Sequence, residues 1–225
     1  MKIGGFVKNS FVDYPGLICS TIFTVGCNLR CWYCHNSHLF DTNQKLIDEN
    51  EIFEFLKSHK GFIDGVVISG GEPSLQKDLV QFIKKIKEMG YRVKLDTNGT
   101  NFEVLKRLVK EKLIDYVAMD IKAPIQDYKK IVGVDCKIED INKSIDFLLK
   151  EQVDYEFRTT FSPDLEMQDL EKMCKRIKGA KLYSIQKYNK VEYNKKNLPA
   201  RDIKDFDLAR EIAKKYVKKV VIKGV

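Results

Sequence analysis

Gly65-Val66-Val67-Ile68-Ser69-Gly70-Gly71-Glu72-Pro73, the run Leu75 to Met89 closed by Gly90, and Tyr91-Arg92-Val93-Lys94-Leu95-Asp96-Thr97-Asn98-Gly99 form the stretch that decides the fold. Gly65 to Ser69 is a short apolar run of the buried-strand type, Leu75 to Met89 has helical character with a glycine stop, and Tyr91 to Asp96 is a second strand. A strand, a helix and a strand in about 30 residues is a βαβ unit, whose crossover makes the two strands parallel neighbours.

The same alternation extends in both directions. Upstream, Leu17 to Phe23 reads as a strand, and Glu49 to His59 as a helix with Ile52, Phe53, Phe55 and Leu56 on one face. Downstream, a helix from Asn101 (its expected cap) to Lys112 leads to a strand over Asp115 to Ile121 and a helix over Ile138 to Lys150. Tyr155 to Phe161 is a strand, Leu165 to Lys178 a helix and Lys181 to Gln186 a sixth strand. A last helix from Ile203 to Tyr216 precedes the strand-like Lys219 to Ile222, which the pattern does not place in the sheet. The fold class is α/β with a parallel sheet, either open and doubly wound or curled into a barrel. Six repeats fall short of an eightfold barrel. The polar segment Lys187 to Arg201 lacks periodicity and reads as a loop over a site or a surface excursion. No Gly/Ser-rich or Pro-rich linker divides residues 1–225, so one domain is expected.

Composition sets outer limits. With 44% hydrophobic and 32% charged residues, the chain is neither disordered nor low-complexity. Its charge of +8 is spread over lysine pairs in helical stretches, the pattern of solvated faces. No recognition helix, zinc-finger spacing or aromatic-basic strand motif accompanies that charge, so nucleic acid is not an expected partner. No apolar run is long enough to span a membrane, and the polar residues after Met1-Lys2-Ile3 do not resemble a signal peptide, so a cytoplasmic location is expected.

The six cysteines are too sparse for a disulfide scaffold, and three of them, Cys27, Cys31 and Cys34, fall within eight residues. Cys19, Cys136 and Cys174 stand apart and read as packing thiols. The cluster follows the first predicted strand. Gly70-Gly71-Glu72-Pro73 follows the second, Asp96-Thr97-Asn98-Gly99 the third, Asp120 and Lys122 the fourth; Arg158 lies late in the fifth and Gln186 ends the sixth. Parallel βα architectures open all these strand ends on one face, so the groups converge on one site. Taken singly, Gly70-Gly71 is also a tight turn, Asp96 to Gly99 a helix entry, and Asp120 with Lys122 a surface pair. Three thiolates on one loop suit an iron-sulfur cube with an open iron. A structural zinc would need a fourth ligand, for which His35 is the nearest candidate.

Cys-x3-Cys-x2-Cys with an aromatic before its last cysteine, reinforced by Gly70-Gly71-Glu72-Pro73, resembles the radical S-adenosylmethionine (SAM) superfamily. Phe11 to Gly16, Tyr33-Cys34-His35-Asn36, Asp96 to Gly99 and Met119-Asp120-Ile121-Lys122 narrow the resemblance to the glycyl radical enzyme activating proteins. The opening Gly4 to Gly16 is most similar to activators of the anaerobic ribonucleoside-triphosphate reductase. The resemblance implies a partial (β/α)6 TIM-like barrel holding a [4Fe-4S] cluster and SAM, with reductive cleavage of SAM and abstraction of a glycine Cα hydrogen on a partner enzyme. It carries over Cys27, Cys31 and Cys34 as iron ligands and Tyr33 as the adenine neighbour. Gly70, Gly71 and Glu72 match the amino-group site. Asp96, Thr97, Asp120 and Lys122 match positions around the methionine end, where some relatives also hold a monovalent cation. Arg158 matches a contact to the cofactor carboxylate, and Asp13 a position near the substrate glycine loop. A low-potential flavodoxin or ferredoxin is the implied electron donor, and the +8 charge would suit such an acidic partner. Gln186 stands where pyruvate formate-lyase activators carry histidine, which weighs against that target. The remaining alternatives are radical chemistry on a small molecule and a zinc-stabilised binding module.

Overall fold

Eight strands lie in one sheet in chain order: β1 (Ile3–Ser10), β2 (Cys19–Thr24), β3 (Gly65–Gly70), β4 (Arg92–Thr97), β5 (Tyr116–Asp120), β6 (Asp154–Phe161), β7 (Tyr183–Lys187) and β8 (Val220–Lys223). The chain is described by a computed structural model over residues 1–190 and 198–225. β1 runs antiparallel to β2, and every later neighbour is parallel. The parallel strands are joined by α1 (Glu49–Ser58), α2 (Leu79–Glu88), α3 (Phe102–Lys110), α4 (Tyr128–Val132) with α5 (Ile138–Leu148), α6 (Met167–Arg176) and α7 (Ile203–Lys214). β2 to α7 therefore form the six expected β/α units of a partial TIM-like barrel, and the unassigned last strand pairs with β7 as β8.

β1 was not expected, because Gly4-Gly5 and Lys8-Asn9 break the apolar alternation of a strand. Gly4 is needed there: a Cβ would stand 2.7 Å from Val25 and 2.8 Å from Leu39. The short α4 was also missed, and it ends at Gly133 in the left-handed region (φ 76°). Asn101 does precede α3, but its amide donates to the Ser74 carbonyl at 2.9 Å instead of capping the helix. Caps that form as chemistry demands are Asp48, which accepts from Asn50 N–H at 2.9 Å, and the reciprocal Glu166/Asp169 box at α6. Of the stretch Lys187 to Arg201, residues 191–197 lie outside the described residues. Arg201 at its end sits 4.0 Å over the Phe161 ring and donates to the carbonyls of Ser162 and Pro163 at 3.3 Å.

Alternation along the strands gives the sheet two unlike faces. Val66 and Ile68, Val93 and Leu95, Val117 and Met119, and Phe157 and Ile185 belong to the main core with the helices. The intervening residues, held in rows by the parallel register, face the other way. One row is Thr21, Val67, Lys94 and Tyr116; Ala118 pairs with Asp96 and Glu156; Asp120, Arg158 and Ser184 form a third row, and Thr160, Gln186 and Lys223 a fourth. The inner face is thus mainly polar. Its lower end, where the parallel strands begin, is closed by a small cluster of Tyr14, Cys19 and Val67 with Leu17 and Tyr116.

Candidate active site

The C-terminal ends of the parallel strands open into a cavity of about 240 Å³ lined by residues from the loop after β2 through to β7. On one wall is the loop after β2, with Cys27, Cys31, Tyr33 and Cys34; Gly70, Gly71 and Glu72 come from β3 and its loop, Asp96 and Thr97 from β4, Asp120 and Lys122 from β5, Arg158 from β6 and Gln186 from β7. The cofactor and metal positions expected from the sequence are thus brought together. Asp13 lies elsewhere, on the turn between β1 and β2 at the opposite end of β2, where its carboxylate accepts from Thr21 Oγ1 at 2.8 Å.

The cysteine loop is fixed from several sides. Arg30 N–H donates to the Val132 carbonyl at 2.8 Å, and a Cβ on Gly133 would stand 2.9 Å from the Arg30 carbonyl oxygen, so α4 presses directly on the loop. Asn28 donates to Thr100 Oγ1 at 2.7 Å and accepts from Asn98 at 2.9 Å, tying the loop to the end of β4. Burial pushes the Cys27 thiol up to about 11 despite the Leu29 N–H beside it, and it raises Cys31 and Cys34 as well. Lys122 is the cation whose charge favours the thiolate at all three.

Gly70 and Gly71 are explained by close approach. A Cβ on Gly70 (φ 111°) would lie 2.3 Å from the Thr24 nitrogen, and one on Gly71 2.0 Å from the Gly26 carbonyl oxygen. The glycines let the β3 loop lie against the backbone that leads into Cys27, where Gly71 N–H donates to Thr24 and Glu72 N–H to Gly26, each at 2.9 Å. Glu72 is fully buried. Its Oε1 accepts from Ser74 Oγ at 2.6 Å and Thr97 Oγ1 at 2.8 Å, and its Oε2 from Asn98 N–H at 2.7 Å. Burial raises this carboxyl, and those donors oppose the rise. Glu72 therefore fastens the β3 and β4 loops together as well as lining the cavity.

The methionine-end candidates form one ionic chain. Arg158 donates from Nη1 to Asp96 Oδ2 and from Nε to Asp120 Oδ1, both at 2.9 Å, and Lys122 reaches Asp120 Oδ2 at 3.2 Å. Burial alone would raise Asp96, but Arg158 and Lys94 outweigh it and hold the carboxyl at about 2. Arg158 and Lys122 likewise depress Asp120 against its burial. Charge-assisted bonds of this kind orient side chains firmly in a partly dry cleft.

Against known proteins, the Radical SAM superfamily model matches residues 21–177. This chain belongs to the radical SAM superfamily. A Methanocaldococcus jannaschii protein named as a candidate glycyl-radical enzyme activating enzyme is 40% identical over 99% of this chain and 96% of its own length. A candidate GTP 3',8-cyclase from Saccharolobus solfataricus is 29% identical over 89% of this chain and 64% of its own. Among solved structures, Streptococcus suis SuiB bound to S-adenosylmethionine aligns with a TM-score of 0.68 at 16% identity, over 88% of this chain and 48% of that one. A domain of the pyruvate-formate lyase-activating enzyme from Bacteroides vulgatus aligns with a TM-score of 0.58 at 15% identity, over 72% of this chain and 99% of the domain. At such identities the likeness is one of fold.

A radical SAM enzyme uses a [4Fe-4S] cluster and SAM, and the donor set here suits both. Three thiols stand at one wall of the cavity, while among the described residues no three His, Cys, Asp or Glu side chains close around a single ion. A mononuclear tetrahedral site needs that closure; a cube ligated at separate corners does not. The cavity also holds both signs of charge, as a zwitterionic ligand requires. Ser69 in the cavity wall and Asn28, which braces the cysteine loop, were not singled out from the sequence. Asn98 sits inside the quoted Asp96 to Gly99 run, but its bond to Asn28 spans 70 residues and carries no local signal.

Proposed function

We propose that this radical SAM enzyme generates a glycyl radical on a partner enzyme, and that the partner is an anaerobic ribonucleoside-triphosphate reductase. The observation that supports this best is the convergence of the cysteine loop and the Asp96–Arg158–Asp120–Lys122 chain on one cavity. The end-to-end relation to the archaeal activating-enzyme relative supports the substrate class, and the Gly4 to Gly16 opening supports the target.

Cys27, Cys31 and Cys34 are the residues that would hold the cluster. When bound, the cluster and SAM supply a one-electron reductive cleavage of a sulfonium carbon–sulfur bond, the source of a hydrogen-abstracting radical. The chain's own residues bind and orient. Tyr33, in the cavity wall, would lie beside the adenine. The Gly70–Glu72 turn offers backbone carbonyls and a carboxylate near the ammonium, and its glycines let it lie against the backbone leading into Cys27. Arg158 and Lys122 supply positive charge for the carboxylate, with Asp96 and Asp120 setting their positions and Thr97 holding Glu72. At the other end of the inner face, Asp13, beside Phe11 and Val12, which are 69% and 82% exposed, contacts the partner near its glycine-bearing loop, while the glycine itself has to reach the cavity. Glycine suits such a substrate because it has no side chain to obstruct abstraction and its radical is delocalised into two amides. A low-potential flavodoxin or ferredoxin donates the electron.

The test is anaerobic incubation of the reconstituted, reduced enzyme and SAM with an anaerobic ribonucleotide reductase, read by electron paramagnetic resonance. A glycyl doublet on the reductase, absent with pyruvate formate-lyase, is expected. Turnover on a small molecule with no radical on either protein would replace this reading with the one the cyclase relatives favour.

A further inference from the structure

Lys94, Glu156 and Lys223 are charged residues of the inner face to which the proposed function gives no task, and the setting of Lys94 is the unusual one. It lies in mid-strand on β4 between Val93 and Leu95, and its side chain is 1% exposed. A lysine this deep is stable only when paired. Its Nζ donates to Asp96 Oδ1, while Arg158 and Ser69 donate to Asp96 Oδ2 at 2.9 and 3.1 Å. The neighbouring inner-face carboxylate is engaged elsewhere: Glu156 accepts from Ser184 and from Lys223. Asp96 is therefore Lys94's partner, and Lys94 does not itself line the cavity.

This arrangement has a consequence for the site. Asp96 and Asp120 share one guanidinium, and two carboxylates brought together in a cleft need more positive charge than one group supplies. Lys122 completes the set at Asp120. Arg158 and Lys122 balance the two carboxylates but leave Asp96 Oδ1 for another donor; a dissociable monovalent cation from solvent could take that place, and an ammonium fills it with the same charge on a covalent tether. We propose that Lys94 is a positioning residue, a built-in cation that keeps Asp96 turned onto Arg158 so that SAM binding needs no added monovalent ion. The inference rests on the reading of Asp96 and Arg158 as the methionine-end site.

Its test compares wild type with Lys94→Met, near in length but neutral, and with the charge-preserving Lys94→Arg. Each is assayed in choline chloride and in potassium or sodium chloride at equal ionic strength. Two quantities are read: the melting temperature of the cluster-free chain, and the Kd for SAM of the reconstituted enzyme by equilibrium dialysis. Wild type should be indifferent to the cation in both. Lys94→Met should melt about 5 °C or more lower in choline and bind SAM about tenfold more weakly there, roughly the loss of one charge-assisted contact. Potassium or sodium should restore much of both losses, and Lys94→Arg should keep most of the affinity without help. Wild-type SAM affinity that depends on potassium or sodium would overturn the proposal, and that arm stands even if Lys94→Met does not fold. So would a Lys94→Met enzyme matching wild type in choline, or one that no small cation improves. Failure of wild type to bind SAM would instead strike the reading of the site, leaving the melting comparison to decide whether Lys94 acts as the cation at Asp96.

Discussion

The two faces of the same strands behave as different molecules. On β4, Val93 and Leu95 are fully buried in the core beneath the helices, whereas Lys94 and Asp96, one residue away, form a buried ion pair on the other side. On β6, Phe157 belongs to the core, and its neighbours Glu156 and Arg158 carry charge inward. The period of two lets one short segment serve stability and chemistry independently. Perturbing the outer face should cost folding free energy and leave ligand affinity alone; perturbing the inner face should do more to affinity and reaction.

The largest separation is expected at the cysteine loop. Cys31→Ala should reduce 5′-deoxyadenosine formation to background and abolish the iron-sulfur absorption while the thermal unfolding transition stays cooperative. Near-normal activity would remove Cys31 from the ligand set. Arg158→Met comes next, because it strips the shared guanidinium from Asp96 and Asp120. Breaking a buried pair in this way costs about 3–5 kcal/mol, and SAM affinity should fall with it, as calorimetry and dialysis would show. Leu95→Ala is the outer-face counterpart. It should cost about 2–5 kcal/mol of unfolding free energy, measured by urea titration, with the SAM Kd of the folded enzyme unchanged. A matching loss of SAM affinity would show that the faces are coupled.

A smaller effect follows from pH. The folded value of Asp96, about 2, lies below its ordinary 3.8, so its stabilising contribution is complete above about pH 4 and disappears as pH falls towards 2. Wild type should lose about 2 kcal/mol more across that window than Asp96→Asn does; equal losses would contradict the ionic chain. Smallest of all, Asp13→Ala should lower the yield of glycyl radical on the partner more than it lowers uncoupled SAM cleavage, and equal loss of both would remove its substrate role.

The sequence exposed the outer face more completely than the inner one. Runs such as Val66 to Ile68 and the helical spacing of Ile52, Phe53 and Leu56 report burial directly, and the clustering of Cys27, Cys31 and Cys34 is a local signal of a shared centre. β1 escaped because Gly4, which packs against Val25 and Leu39, and Gly5 interrupt the apolar side chains of Ile3, Phe6 and Val7. Lys94 was illegible for another reason. A lysine between a valine and a leucine reads as the solvated side of a strand, and only the register with Val67 and Tyr116 turns it into the barrel. Glu72 was legible as a site residue, but its role as a fastener depends on Thr97 and Asn98 in a loop that the sequence does not place beside it.

The most direct test of the chemistry is to purify the protein anaerobically, reconstitute it with iron and sulfide, record its visible spectrum, then add dithionite and SAM and quantify 5′-deoxyadenosine. A brown protein that forms 5′-deoxyadenosine, with methionine as the co-product, is the expected result. A colourless protein retaining zinc, or a cluster that never cleaves SAM, would contradict the assignment of the three cysteines and the cavity they face.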